Sequence, residues 1–201
     1  MGWEATPLAK VCDLQVGYAF KSSTFSDSGI RLLRGENVGY GMPLWGNTQY
    51  LPEDIAVGFS GYRLEAGDII IGMDRTFTKS GTKITKLGSS DIPALLVQRV
   101  GRFIPTLADK SYLWHLIRSG VYLDSLKNQE KGMDIPHLSK TEILEPIVPV
   151  PPTDEQKEIG KPLQAVDDLI NGKVVKLQNT ISVKKALLQD LLTGKVRVKV
   201  N

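Results

Sequence analysis

The residues best suited to chemistry in this chain are cationic and hydroxylic, and they gather in one stretch. Between residues 75 and 110 stand Arg75, Lys79, Lys83, Lys86, Arg99, Arg102 and Lys110, against only Asp91 and Asp109. Arg75, Thr76, Lys79, Ser80 and Lys83 fall in the polar segment MDRTFTKSGTK between two apolar runs. They are expected on an exposed loop, where ammonium, guanidinium and hydroxyl donors can hold phosphate oxygens. Arg99 and Arg102 follow, and a guanidinium can read guanine bidentately or pair with a structural carboxylate. Arg31, Arg34 and Asn37 flank a turn and could also reach bases. This local basic region suits an anionic partner.

Groups for bond-making chemistry are not apparent. The chain has no GxGxxG, GxSxG or HExxH, and LTGK at 192–195 lacks the first glycine and the terminal hydroxyl residue of a phosphate loop. VPPT at 150–153 has the wrong ends for the [DNS]-P-P-[YF] tetrapeptide of methyltransferases. Asp167 and Asp168 are helical neighbours pointing about 100° apart, which marks a solvated face. His137, between Pro136 and Leu138, reads as a packing or capping residue. His115 lies far from it, and the single Cys12 allows no internal disulfide, so no metal site is expected and a reducing cytoplasm fits best.

These residues must be positioned by a folded body. With 201 residues, 41% of them hydrophobic, the chain can hold one ample core and an appendage. No apolar run approaches the roughly 18 residues of a membrane span, so a soluble protein is expected. The net charge of +3 sits in the tail, because residues 1–152 carry sixteen cations and sixteen anions. The segment PLAKVCDLQVG reads as a short helix or strand before Gly17, and IRLLRGENVGYG as a strand entering glycine-rich turns. Residues 69–71, ITKL and ALLVQRV each read as a strand, and SYLWHLIRSGVYLDSL as a helix broken near Gly120. The pattern is mixed α+β, without a repeated βαβ rhythm.

The last third is a different object. Pro146, Pro149, Pro151 and Pro152 fix φ and withhold donors, so no helix or central strand is expected across them. Thr153 then stands three residues before Gln156, with Asp154 and Glu155 between, the pattern of a capping box at a helix start. From Ile159 an apolar stripe runs through Leu163, Val166, Ile170, Val174, Leu177, Ile181, Leu188, Leu191 and Leu192, with Lys184 in an apolar place. Two successive steps of four between Val166 and Val174 form a stutter in an otherwise heptad pattern. Pro162 suggests a kinked or separate first turn, Gly172 weakens the middle, and Gly194 supplies a stop. A helix over 154–192 would be roughly 58 Å long, too long to pack along one small domain, and a coiled-coil partner is expected.

The string GMDIPHLSKTEILEPIVPVPPTDEQKEI, with the ending KKALLQDLLTGK at 184–195, resembles the specificity subunits of type I restriction-modification systems. GIRLLRGENV at 29–38 and GDII at 67–70 resemble stretches of their target recognition domains. The resemblance implies an α+β target recognition domain over residues 1–152 and a helical spacer and dimerisation arm over 153–201. It implies binding of double-stranded DNA without catalysis in this chain, one half of a bipartite site being read by one domain. It also implies that the chain scaffolds modification subunits, which bring S-adenosylmethionine, and that restriction subunits join them in the full enzyme. A typical specificity subunit has two domains and two helical regions, and this chain has one of each. The missing helix is therefore expected from a second copy, in a homodimer with antiparallel arms. The alternative is a coiled-coil adaptor whose head binds protein.

Overall fold

The computed structural model describes residues 2–130 and 137–199, so residues 132–136 of the resembling motif lie outside the described residues. The chain divides into two units, residues 1–157 and 158–201, here called head and arm.

The head begins with β1 (Glu4–Pro7), a 3-10 turn (Leu8–Lys10) and β2 (Cys12–Val16), so PLAKVCDLQVG is both helical turn and strand. There follow β3 (Ile30–Leu33), β4 (Gln49–Leu51), α1 (Glu53–Ala56), β5 (Arg63–Leu64), β6 (Ile69–Gly72), β7 (Phe77–Thr78), β8 (Gly81–Thr82) and β9 (Ile84–Lys86). Next come β10 (Ala94–Leu96), β11 (Val100–Pro105), α2 (Lys110–Leu116), α3 (Gly120–Glu130), α4 (Lys140–Leu144) and β12 (Ile147–Val150). The last element, α5 (Thr153–Leu192), runs from the head into the arm.

Two four-stranded sheets, ordered β4-β3-β10-β5 and β2-β11-β6-β9, build the body. Leu33, Ala94 and Leu96 of the first share one core cluster with Ile70 and Val100 of the second. The alternate residues Ile30, Leu32 and Leu95 face a second cluster with Phe20, Leu51 and Ala56. Both faces of the first sheet are thus covered, which explains why IRLL and ALL are continuously apolar rather than alternating.

The segment ALLVQRV, expected as one strand, is two. β10 pairs parallel to β3 in one sheet, and β11 pairs with β2 and β6 in the other. The switch is made at Arg99, whose φ of 61° is left-handed. Gly17 closes the same corner: a Cβ there would meet the Val97 carbonyl oxygen at 2.2 Å, so no larger residue fits.

The proline-rich connector is also more than a boundary. β12 pairs antiparallel with β1, Val148 is fully buried, and Tyr112 Oη donates to the Pro149 carbonyl at 2.8 Å. A two-stranded ribbon has only edges, so prolines are tolerated in it. The sequence did not announce α4, which Ser139 and Glu142 start with a capping box.

α5 is a single 40-residue helix that contains Pro162. Its expected capping box is replaced, because Gln156 is buried and its side chain is used elsewhere. Gln156 Oε1 accepts from the Asp109 amide at 2.7 Å and Nε2 donates to the Pro151 carbonyl at 2.9 Å. The first turn is thereby tied to the head. Pro162 cannot donate to the carbonyl of Glu158, the residue at which the arm begins.

Candidate nucleic-acid interface

The basic segment is a hairpin rather than a loose loop. Phe77 pairs with Thr82 and Thr78 with Gly81, leaving Lys79 and Ser80 exposed at a two-residue turn. Gly81 takes a φ of +140°, which a side chain rarely adopts. Thr78 Oγ1 organises the turn by donating to the Gly81 carbonyl at 2.9 Å and accepting from the Ser80 amide at 3.2 Å. Its one proton is then spent, so Tyr40 Oη must be the donor in their 2.7 Å contact. The Tyr40 ring also lies on Gly81, where a Cβ would come within 3.1 Å of Cδ1. Lys127 Nζ stands 5.4 Å from the Phe77 ring centroid, a cation–π contact on the same hairpin.

At the hairpin's base, Asp74 gathers the neighbouring cations. Its Oδ2 accepts from Arg99 Nη1 at 2.9 Å, its Oδ1 lies 2.6 Å from His137 Nδ1, and its carbonyl accepts from Lys83 Nζ at 3.2 Å. Burial raises the Asp74 carboxyl's pKa, but the bonds from His137 and Arg99 outweigh it and hold that pKa below the usual range. His137 thus bonds through Nδ1 to the Asp74 carboxylate rather than serving as the packing or capping residue expected. Arg75 and Arg99 both have left-handed backbones, φ 47° and 61°, at a cost of about 1 kcal/mol or more each. Their side chains are exposed. Arg75, Lys79, Ser80, Lys83 and Arg99 thus come together on and around one hairpin.

Other candidates serve the head's own architecture. Thr76 is fully buried and donates to the Gly72 carbonyl at 2.6 Å. Asn37 is buried, accepts from the Arg34 amide, and donates to the Leu44 and Asn47 carbonyls. Arg102 pairs with Asp68 at 3.1 Å and bonds to the Gln15 side chain and the Arg63 carbonyl. Arg34 pairs with Glu36 at 2.5 Å. Arg31 donates to the Ser90 carbonyl and lies 5.2 Å from the Trp45 ring. The two acids that interrupt the basic stretch are likewise structural: Asp91 accepts from Trp45 Nε1, and Asp109 caps α2.

Tyr40, Asp74 and Lys127 were missed from the sequence because none is remarkable by type or spacing. The clue was the proximity of Asp74 to Arg75 and the glycines flanking Tyr40. Among the described residues there is no cluster of His, Cys, Asp and Glu that could hold a metal. Burial pushes the Cys12 thiol up to about 12, which suppresses the thiolate. No helix among the described residues is long and apolar enough to cross a membrane.

The family model for the type I restriction modification DNA specificity domain matches residues 1–181. The chain belongs to that specificity family. Similar members include the MjaVIII specificity subunit of Methanocaldococcus jannaschii, 36% identical over 98% of this chain and 47% of that protein. The EcoAI specificity subunit of Escherichia coli is 31% identical over 96% of this chain and 33% of its own length. The chain therefore spans about half or less of the curated relatives it matches. Two solved structures share the fold. The S subunit of a type I restriction-modification system from M. genitalium gives a TM-score of 0.60 at 11% identity, over 94% of this chain and 46% of that one. The HsdS subunit from Thermoanaerobacter tengcongensis gives 0.53 at 20% identity, over 93% and 42%. In this specificity-family chain, the stretches that carried the resemblance mostly build the scaffold. Asn37 braces the turn after β3, and Asp68 of GDII accepts from the Glu65 amide at 2.9 Å.

Proposed function

We propose that this chain is a sequence-specific DNA-binding specificity subunit, the head reading one half of a bipartite site and the arm pairing with a second copy. In this reading it scaffolds modification subunits, which bind S-adenosylmethionine and methylate DNA, and restriction subunits join that assembly. The carrying observation is the family match over residues 1–181. The cationic hairpin supports it, since Arg75, Lys79, Ser80 and Lys83 offer donors to phosphate, with Arg99 beside them. Arg31 and Arg34 are secondary contacts, whereas Asn37, Thr76 and Arg102 act through the shape of the head. The arm stripe, exposed at every one of Leu163, Val166, Ile170, Val174, Leu177, Ile181, Leu188 and Leu191, supports a partner helix.

The test is co-purification with the modification subunit followed by genome-wide mapping of methylated adenine, which should return a split, symmetric motif. Loss of sequence-selective, salt-sensitive retention on duplex DNA would instead favour a head that binds protein. Within the complex, the Lys79→Glu, Lys83→Glu double variant should weaken DNA binding and flatten the salt slope by about 3.6, the equivalent of two phosphate contacts in each of the two copies. An unchanged slope would remove the hairpin from the interface.

A further inference from the structure

The arm's exposed stripe has a symmetry that a single helix does not need. Counting from Leu177, Leu163 and Leu191 lie fourteen residues away on either side, Val166 and Leu188 eleven, and Ile170 and Lys184 seven. At about 100° per residue these positions share an arc of roughly 80°. The flanks of the arc are unlike each other. Asp167 and Lys185 fall on one edge, Leu169 and Leu187 on the other, again nearly equidistant from Leu177.

We propose that the antiparallel pair of arms expected above takes a register centred on Leu177, with Asp167 of each copy opposite Lys185 of the other. The register rests on the homodimer reading above. In a two-fold antiparallel pair each edge meets the same edge of its mate, reversed in direction. Asp167 then comes within two residues, about 3 Å along the axis, of Lys185 of the second copy, and the pair forms twice. On the opposite edge Leu169, 65% exposed, meets Leu187, 52% exposed, of the second copy. Lys184 sits against Ile170 of its mate and can carry its ammonium out to solvent along its aliphatic stem.

A parallel pair loses each of these matches. Lys184 would meet its own copy in the middle of the stripe, and Asp167 and Lys185 would lie beside Leu169 and Leu187. Charge complementarity therefore selects direction as well as register. In the antiparallel register, the residues at which the two arms begin, Glu158 of each copy, lie roughly 57 Å apart along the axis. The ruler length is thus set by the number of residues between Glu158 and Leu177.

Cysteine cross-linking of the full chain tests the register, with the native protein as control because its sole cysteine, Cys12, is buried. Under mild oxidation Leu177→Cys should give a disulfide-linked dimer. Leu163→Cys and Leu191→Cys should each stay unlinked alone and should link when the two variants are mixed. Self-linking of Leu163→Cys would overturn the antiparallel direction, and a dimer in which Leu177→Cys fails to link would overturn the centre. A monomer in sedimentation at micromolar concentration would instead overturn the homodimer reading itself. Asp167→Lys should weaken dimerisation by about tenfold, and adding Lys185→Asp should restore it, since two pairs are reversed and then re-formed. A double variant no better than the single would remove the ion pair.

Discussion

Leu32, Ile70 and Leu95 of the head are fully buried among residues of the same unit, whereas Leu163, Ile170, Leu177 and Leu188 of the arm keep 42–58% of their surface exposed. Both regions hold branched apolar residues, yet only the head encloses them. It does so with two sheets whose strands present alternate side chains to separate clusters. One helix has no second layer, so its stripe can be satisfied only from outside. A core that closes within the chain gives stability independent of concentration, and a stripe that does not makes the arm's stability a matter of mass action.

The strongest way to break this contrast is to cut one side chain of each kind. Leu95→Ala should destabilise the head by about 2–5 kcal/mol in a urea titration, because the side chain is fully enclosed between packed strands. Leu177→Ala, measured at a concentration where the protein is monomeric, should leave that transition within about 0.5 kcal/mol. Equal losses would mean that the arm's stripe is already covered by its own chain.

The contrast was only partly legible in the sequence. The long helix announced itself because apolar steps of three and four residues repeated over about nine turns are hard to mistake, and Pro162 did not interrupt it. The first turn was misread because Thr153 and Gln156 fit a capping box locally, while the Gln156 amide had a better use in the head, on Asp109 and Pro151. ALLVQRV read as one strand because the left-handed turn at Arg99 carries no glycine to announce it. Among the cations, type and spacing located the hairpin but could not separate Arg99, which is largely exposed, from Arg102, whose side chain is mostly covered and held by Asp68. That difference is tertiary: Arg102 lies within β11 between β2 and β6, and Arg99 at the corner before it.

A smaller effect distinguishes the head's electrostatics. Asp74 has a depressed folded pKa, so its contribution is present above the unfolded value of about 3.9 and is lost as pH falls through the folded value. Asp74→Asn should therefore be less stable than the native chain at neutral pH. The gap should close as the pH drops well below 4, read from urea midpoints across the acid range. A gap independent of pH would mean that the Asp74 contacts act by shape alone and that the head's surface charges are not part of its self-sufficiency.

The smallest expected effect asks to which side of the contrast the basic hairpin belongs. β7 and β8 form a two-stranded ribbon of two residues each, too short to stand alone, so the hairpin is ordered either by the head or by a ligand. Tyr40 ties it to the head through its hydroxyl on Thr78 and its ring on Gly81. Tyr40→Phe keeps the ring and removes one hydrogen bond at a partly exposed site, worth about 1 kcal/mol or less. Global stability should barely change, while amide exchange at Ser80 and Thr82 should accelerate up to about fivefold and the arm should show no response. If those amides exchange as fast in the native chain as in the variant, the hairpin resembles the arm: it awaits its partner, and DNA rather than Tyr40 sets its shape.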